Sequence, residues 1–400
     1  MDTAIAGTGC SLMDYLSTGI DFSGPAFARY RSRTPGDGGL VPGQLVFAEG
    51  LERFAGIPYQ DVLDEITGGT PPASKNLGGP SVVALVHAAQ LLRPAGVPVS
   101  FYGVRGDDSV GADLAGIVSK TPLHWDHYLQ EPGHTPFTHA LSDPTWDNGA
   151  GERSFVNSTG VAADFRAAHI DASFFDHAIA AFGGTALVPA LHAELHAPVR
   201  RARREGALTV INTVYDFLNE SRDPHHPWPI GDSEETYRNT DLLIVDAEEA
   251  RRLSGSDTPE GAAGRFVEAG VTAVVITRGA QDVYAVSRGG RFAPLEPAWF
   301  PVSARVGQEL REGAGAHGDT TGCGDNFVGG MLYALAEQLR SGERQLDVHH
   351  AISWGVASGG YACFFLGGTT IEQHPGEKLA AVTEYVRDYR RQLGAVTNDA

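Results

Sequence analysis

The chain has 400 residues, of which 42% are apolar and 20% are charged, a balance typical of a globular protein with a large buried core. Its 49 acidic residues outnumber its 30 Lys and Arg residues, and the net charge of −19 argues against partnership with a nucleic acid or an anionic membrane. The three cysteines form no CxxC pair, the first residues lack the apolar segment of a signal peptide, and no run is long enough to span a bilayer. We therefore expect a protein of the reducing cytoplasm.

Short apolar runs rich in β-branched residues alternate with longer amphipathic runs along most of the chain. The short runs predict strands at residues 3–7, 98–103, 185–189, 208–215, 241–246 and 272–277. The longer runs predict helices at residues 80–92, 171–182, 190–205 and 259–269. This alternation predicts an α/β fold with a mainly parallel central sheet and helices on both of its faces. Ligands of such sheets bind at the carboxyl ends of the strands.

Two regions interrupt the alternation. Residues 15–77 are rich in Gly and Pro and too long for an ordinary connection, which indicates an insertion or small subdomain. Residues 122–160 alternate polar and aromatic side chains, and "GERSF" predicts a turn into a strand at 154–158 that we expect at an antiparallel edge. We predict an α/β domain of residues 1–14 and 78–400 and an inserted subdomain of residues 15–77, to which strands from 98–160 could also contribute.

A glycine-rich loop, "GDTTGCGDNFVGG" at residues 318–330, precedes a predicted helix. After Asp325, apolar residues recur at spacings of three and four, at Val328, Met331, Leu332, Leu335 and Leu339. Residues 322–324 would then form the helix N-terminus, whose unpaired N–H groups and positive dipole bind anions. Asp325 could simply interact with the helix dipole, which would stabilise the helix by about 0.3 to 1 kcal/mol. It could instead act as a base beside a site that binds an oxyanion. The residues alone leave both interpretations open.

The motif "DTTGCGD" resembles the DTxGAGD signature of the ribokinase (PfkB) carbohydrate kinase family, with Cys323 in place of the central Ala. Five further stretches are similar to family motifs and occur in the family order: "GTGCSLMD", "LGGPSVVAL", "FYGVRGDDSVGADL", "LLIVDAEEARRLSG" and "VVITRGAQDVYAV". The resemblance extends from residue 3 to about residue 370. It implies a ribokinase-like fold in which residues 15–77 take the place of a small β lid.

The resemblance also implies an activity, the ATP-dependent transfer of the γ-phosphoryl group to a hydroxyl of a sugar or polyol. The implied catalytic groups are Asp325 as general base and the amides of Gly322, Cys323 and Gly324 as anion hole. The implied substrate ligands are Asp14, Asn76, Gly78 and Gly79, and the nucleotide ligands are Thr277, Gly279, Thr320 and Thr321. Asp246 and Glu249 would hold Mg²⁺ through water, and Asp319 with Thr321 would hold a monovalent cation such as K⁺. Some relatives pair through the lid, so the resemblance also allows a homodimer.

Three positions and one segment depart from the family pattern. Asp246 and Val83 stand where the family has asparagine, Asp282 stands where it has glycine, and "ELREGAGAHG" precedes the signature in place of an apolar strand. Asn76 is the candidate to replace the asparagine missing at Val83. These departures keep open a catalytically silent sensor that binds nucleotide or sugar.

The substrate also stays open at this stage. Asp14 suits vicinal hydroxyls of sugars and of nucleosides, and the long lid segment is similar to that of the adenosine kinase branch. Arg105 and Arg153 lie on segments that could face a phosphosugar.

Other functional motifs are absent or incomplete. "IAGTGCSL" lacks the third glycine of a dinucleotide fingerprint, with Leu12 in its place, and no phosphate-binding P-loop motif occurs. His192 and His196 lie in "HAELH", which does not match the HExxH pattern of zinc hydrolases. Cys323 could be a nucleophile at a helix N-terminus, but its place at the small-residue position of the signature explains the residue more simply.

Overall fold

Two β-sheets organise the chain in the computed structural model, which describes residues 4–34, 36–149, 151–315 and 318–398. The strands are β1 Ile5–Gly9, β2 Leu12–Thr18, β3 Leu45–Phe47, β4 Ser74–Gly78, β5 Val99–Gly106, β6 His124–Glu131, β7 Phe137–Asp143, β8 Glu152–Ser158, β9 Ile179–Gly183, β10 Leu208–Asn212, β11 Leu242–Asp246, β12 Ala273–Arg278, β13 Gln281–Ser287 and β14 Leu295–Phe300.

The α-helices in these described residues surround the sheets. They are α1 Pro25–Tyr30, α2 Ala48–Ala55, α3 Tyr59–Thr67, α4 Pro80–Leu92, α5 Ser109–Val118, α6 Trp146–Gly149, α7 Pro189–His192, α8 His196–Arg204, α9 Phe217–Arg222, α10 Glu235–Arg238, α11 Ala247–Ser254, α12 Pro259–Ala269, α13 Ala304–Arg311, α14 Cys323–Arg340, α15 Val348–Ala362 and α16 Glu377–Asn398. Within these ranges, none of the helices is long and apolar enough to cross a membrane.

The large sheet has nine strands in the order β14-β13-β12-β11-β10-β9-β1-β5-β6. The seven strands from β12 to β6 run parallel, and β13 and β14 extend the sheet by antiparallel pairing. Alternate residues of one strand enter different cores: Val275 packs in the layer that contains α4, α14 and α15, and Val274 packs in the layer that contains α8 and α12. The predicted parallel sheet with helices on both faces is therefore confirmed.

The small sheet has five strands in the order β3-β8-β7-β2-β4. Leu141 and Val156 on one face pack with the apolar side chains of α1, α2 and α3. Because side chains alternate along a strand, Ala140 and Phe155 point to the other face, where they line a cleft whose opposite wall includes Asp319, Thr321 and Gly367. Residues 15–77 supply part of this sheet, whereas β7 and β8 come from later in the chain. The predicted division into domains stays a prediction.

Most predicted elements are present, with α4 and α12 at their predicted bounds, but the segment around residue 180 was predicted incorrectly. The predicted helix at 171–182 is a short 3₁₀ turn followed by strand β9, and the predicted strand at 185–189 is a second 3₁₀ turn leading into α7. Strand β9 is buried on both faces, so its apolar run has no alternation that would distinguish it from a buried helix. The predicted helix at 190–205 divides into α7 and α8.

Strand β8 confirms the strand predicted at 154–158 and its antiparallel pairing, with β7. The predicted edge position is wrong, because β8 also pairs with β3 and is therefore internal to the small sheet.

Candidate active site

Three aspartates, Asp14, Asp319 and Asp325, lie near the cleft between the small sheet and the loop before α14. Asp14 and Asp319 line this cleft together with Arg153 from β8. The pKa of Asp14 is raised to about 7, first because the carboxyl is removed from solvent and then because the negative charges of Asp325 and Asp319 lie close by. The fold thus brings Asp14 close to two carboxylates that lie about three hundred residues later in the sequence.

The N-terminus of α14 presents backbone donors beside these carboxylates. The helix begins at Cys323, and Gly322 precedes it in the left-handed conformation, with φ of 70°. The amides of Gly322 and Gly324 make no hydrogen bond to any residue in the described part of the chain, and the Cys323 amide makes a long one, 3.3 Å, to the Thr320 carbonyl. Unpaired amides at a helix N-terminus favour an anion. The arrangement fits the predicted anion hole.

The carboxylate of Asp325 faces the same region and is not part of the apolar interior. Asp325 is partly exposed, whereas the next residues of the helix, Asn326 and Phe327, are buried. Within the described ranges its side chain has no hydrogen-bond partner, and its removal from bulk water raises its pKa to about 6. A free carboxylate with a pKa near neutrality is suited to accept a proton.

A loop after α15 supports the anion hole. The buried Asn326 side chain donates hydrogen bonds of 2.8 Å to the carbonyls of Gly322 and Gly368, and Asp319 Oδ1 accepts one of 3.1 Å from the Gly367 amide. A Cβ atom on Gly322 would lie 2.4 Å from the Gly368 Cα. Neither this loop nor Asn326 was predicted from the sequence to belong to the site. The glycine pair in "FLGGTT" was the available signal.

The glycine pair at residues 78 and 79 makes room for Asp14. A Cβ atom on Gly78 would lie 1.9 Å from Asp14 Oδ2, and Gly79, with φ of 104°, would place one 2.6 Å from the Cys10 carbonyl. Asp14 pairs with Asn76 between β2 and β4. The predicted substrate residues are therefore neighbours, and the two glycines act through close backbone approach.

The side chain of Asn76 is occupied by structural hydrogen bonds. Its Nδ2 donates to the carbonyls of Leu366 and Thr369, at 3.3 and 3.2 Å, and its Oδ1 accepts from the Leu77 amide at 2.8 Å. Val83, at the family asparagine position, is buried and lies next to Gly368. Asn76 thus fixes the loop around Gly368, and a role in contacting substrate stays a prediction.

The predicted nucleotide residues lie at two places on the carboxyl edge of the large sheet. Thr277 is the next-to-last residue of β12, with its hydroxyl 3.5 Å from the Val245 carbonyl, and Gly279 forms the following turn with φ of 60°. Thr320 is exposed before α14, and the Thr321 hydroxyl donates a 2.9 Å hydrogen bond to Asp319 Oδ2. The hydrogen bond from Thr321 holds the Asp319 carboxylate beside the predicted anion hole.

Asp246 and Glu249 form a carboxylate pair at the start of α11. Asp246 caps the helix by accepting from the Glu249 amide at 2.7 Å, and Glu249 accepts from the Asp246 amide and from the Thr213 hydroxyl. Burial raises the pKa of both groups; the charge of Glu248 adds to the effect at Asp246, and the charges of Asp246 and Asp325 add to it at Glu249. No group of three or more His, Cys, Asp and Glu side chains within the described ranges could hold a metal directly. A cation held through water would relieve the repulsion.

The two arginines considered for a phosphosugar are placed differently. Arg153 lines the cleft, and its Nη2 lies 3.9 Å from Asp319 Oδ2. Arg105 instead donates a long, 3.5 Å hydrogen bond to the Gly111 carbonyl and does not line the cleft.

Two alanine substitutions at the start of α14 should distinguish an effect on stability from an effect on anion binding. We expect Gly322→Ala to lower the free energy of unfolding by about 2 kcal/mol, because φ is left-handed and the new Cβ would overlap Gly368. Gly324→Ala meets nothing within 4 Å, so its stability should be unchanged, or higher by up to about 1 kcal/mol. Its methyl group should nevertheless hinder a phosphate and lower turnover. Urea unfolding and steady-state kinetics measure the two effects, and equal loss of stability in both variants would contradict this assignment.

Comparison with known proteins identifies relatives of the chain. Residues 71–373 match the model of the pfkB family carbohydrate kinases. A probable sugar kinase from Rhizobium etli is similar in structure, with a TM-score of 0.67, 16% identity and coverage of 95% of this chain and 98% of that one. Adenosine kinase from Schistosoma mansoni has a TM-score of 0.66 and 17% identity, and the match covers 92% of this chain and 98% of that one. Ribokinase from Thermotoga maritima has a TM-score of 0.60 and 17% identity, and the match covers 96% of this chain and 99% of that one. No curated protein matches the chain.

Proposed function

Because the chain belongs to the pfkB family of carbohydrate kinases, we propose that it transfers the γ-phosphoryl group of ATP to a hydroxyl of a sugar or sugar-like polyol. The observation that carries the proposal is the position of Asp325. Its carboxylate has a raised pKa and stands in the same helical turn as the Gly324 amide, and among the residues that the structure describes neither group has a hydrogen-bond partner. A base and an anion-binding site side by side are the two groups that phosphoryl transfer to a hydroxyl requires.

In the proposed reaction, Asp14 accepts hydrogen bonds from two adjacent substrate hydroxyls and orients the molecule. The Asp325 carboxylate accepts the proton of the attacking hydroxyl. The amides of Gly322, Cys323 and Gly324 bind the oxygens of the transferring phosphoryl group, on which negative charge is distributed in the transition state.

The carboxylates of the site suit the cations that accompany ATP. Asp246 and Glu249 would hold Mg²⁺ through water, and the burial and neighbouring negative charges that raise their pKa values are the observation that favours a cation there. Bound Mg²⁺ would neutralise charge on the phosphates of ATP. Asp319 would hold a monovalent cation such as K⁺, while Thr277, Gly279, Thr320 and Thr321 would contact the nucleotide.

The small sheet would act as a lid. The cleft has a volume of about 70 Å³, well below the roughly 300 to 1,000 Å³ of typical ligand pockets, and the Arg153–Asp319 ion pair spans it. Substrate entry would therefore require the small sheet to move away from the loop before α14. Reclosure over the substrate would exclude water and limit hydrolysis of ATP.

A nucleoside is the second candidate substrate. Leu16, Ala140 and Phe155 give the cleft an apolar wall opposite Asp319, and an aromatic ring offers a surface for stacking a base. Vicinal ribose hydroxyls would still bind Asp14. The solved adenosine kinases among the similar folds make this candidate worth testing first after the sugars.

A substrate panel tests the proposed function. Purified protein with Mg²⁺ and ATP should release ADP with a subset of sugars, phosphosugars or nucleosides, and the product should carry the phosphate. A preference for nucleosides would select the second candidate. Tight binding of a sugar without ADP release from any compound would instead indicate a sensor and contradict the kinase assignment.

The pH dependence of turnover follows from the two raised pKa values. A base must be deprotonated to act, so kcat/KM should fall as the pH falls through about 7 and 6, the pKa values of Asp14 and Asp325. Once the sugar hydroxyls bind the Asp14 carboxylate and favour its charged form, kcat should retain only the lower ionisation. Steady-state kinetics from pH 5 to 9 (about 0.5-unit steps) measure both profiles. A kcat that stays constant from pH 7 to pH 5 would exclude Asp325 as the base.

A further inference from the structure

Two cysteine sulfurs are in contact beside the anion hole. Cys323 Sγ, on the first residue of α14, lies 3.3 Å from Cys363 Sγ, on the residue after α15. Both residues are partly exposed, and neither takes part in a disulfide. Cys10, the third cysteine, is buried and outside this contact. The proposed reaction uses the backbone of Cys323 but neither thiol.

Helix packing holds the two sulfurs together. A Cβ atom on Gly359 would lie 2.9 Å from the Cys323 carbonyl, and one on Gly330 would lie 2.5 Å from the Trp354 carbonyl. Glycines therefore let the backbones of α14 and α15 approach closely along the interface. Cys363 follows Gly359 by one helical turn, so it faces the same end of α14. The contact follows from the close approach of two long helices rather than from the reach of flexible side chains.

We propose that Cys323 and Cys363 form a reversible disulfide when the protein meets a peroxide, and that this bond links the anion hole to the end of α15. In the first step one thiolate attacks the peroxide, its sulfur becomes a sulfenic acid, and a water molecule leaves. In the second step the other thiol displaces the sulfenic hydroxyl as a second water, which forms the S–S bond. The two thiols are oxidised, the peroxide is reduced, and a dithiol reductant reverses the reaction.

The bond would alter the loop that carries the anion hole. A disulfide holds its sulfurs about 2.05 Å apart, so the pair must approach by roughly 1 Å from the present 3.3 Å. The loop before α14 already rests on the end of α15, since the Asp319 amide donates a 3.0 Å hydrogen bond to the Phe365 carbonyl. Movement of Cys323 therefore shifts its own amide and Asp325. Misplacement of a reacting group by about 1 Å can cost on the order of 100-fold in rate.

The experiment treats the full-length protein with hydrogen peroxide, with and without later dithiothreitol. Mass spectrometry should find the intact protein lighter by two hydrogen atoms, and proteolysis should give a cross-linked peptide pair that contains Cys323 and Cys363. Turnover should fall by about 10- to 100-fold and return with dithiothreitol. The loss of turnover rests on the proposed function, whereas the mass and the cross-link do not.

Matched variants make the result specific. Cys363→Ser should keep the turnover of the reduced protein, form no cross-link and resist peroxide. Cys10→Ala should still form the cross-link. Recovery of only sulfinic or sulfonic acids, or of a link that involves Cys10, would overturn the proposed disulfide. A cross-linked protein with full turnover would overturn its effect on the anion hole.

Discussion

Asp325→Asn should lower kcat by about 10² to 10⁴, the range that a general base contributes, while the affinity for ATP stays within a few-fold of the wild-type value. Asparagine has nearly the same shape as aspartate but cannot accept the hydroxyl proton. The side chain has no hydrogen-bond partner within the described ranges, so the exchange should leave the helix and the anion hole in place. Steady-state kinetics and calorimetric titration with a non-hydrolysable ATP analogue measure the two quantities.

The control for this variant is Asp126→Asn. Asp126 is exposed on β6, the edge strand of the large sheet, and it does not line the cleft. It should retain wild-type turnover, which would show that the loss does not come from a change in net charge. Equal turnover of Asp325→Asn and the wild type would remove Asp325 from the role of base, even if the protein proved to be a kinase.

The central part of the fold was predictable because local patterns and tertiary structure agree there. The helix after Asp325 follows from apolar residues at spacings of three and four, and α14 extends from Cys323 to Arg340. Strands β10, β11 and β12 follow from short β-branched runs between helices. In each case the residues favour the same element locally that the core requires globally.

Predictions failed where burial removes the periodic signal. Strand β9 is buried along its whole length between β1 and β10, so nothing in its own composition separates it from a helix. The small sheet was only partly foreseen for a different reason. Its strands are far apart in sequence, and the pairing of β2 with β7 depends on contacts across more than a hundred residues.

The contacts that hold the site residues in place could not be predicted from the sequence either. The glycines of the signature indicate an anion hole, but Gly322 needs glycine because Gly368, 46 positions later, lies against it. Val83 looked like the loss of a substrate ligand, yet the structure gives it a packing role beside the same loop. A motif states which residue types the chemistry needs, whereas the partners that hold them in place are set by the fold.

The electrostatics of the cleft explain the raised pKa of Asp14, whose carboxyl is desolvated and lies near the charges of Asp325 and Asp319. Asp14, Asp319 and Asp325 share a partly desolvated space, and Arg153, at 3.9 Å from Asp319, is the cation that lines the cleft in the described part of the chain. Bringing carboxylates together out of water disfavours their charged forms. Hydroxyl donors and cations would favour those forms again. Binding of the substrate and of its cations should therefore reinforce each other.

Asp14→Asn should lower kcat/KM by about 10² to 10³, mostly through KM, because hydrogen bonds to a charged group contribute about 1.5 to 3 kcal/mol each. The exchange should also remove the ionisation near pH 7 from the kcat/KM profile and leave the one near pH 6, because burial alone raises the pKa of Asp325. Gly78→Ala should also lower kcat/KM, because its Cβ would lie 1.9 Å from Asp14 Oδ2. This variant displaces the Asp14 carboxylate without removing its charge.

Asp61→Asn, on the exposed surface of α3, is the matched control and should behave as the wild type. If both Asp14→Asn and Gly78→Ala raised KM while kcat changed little, Asp14 would act in binding rather than in chemistry. An unchanged KM in Asp14→Asn would mean that the substrate hydroxyls do not reach this carboxylate. The cleft that Asp14 shares with Asp319 would then not be the sugar site.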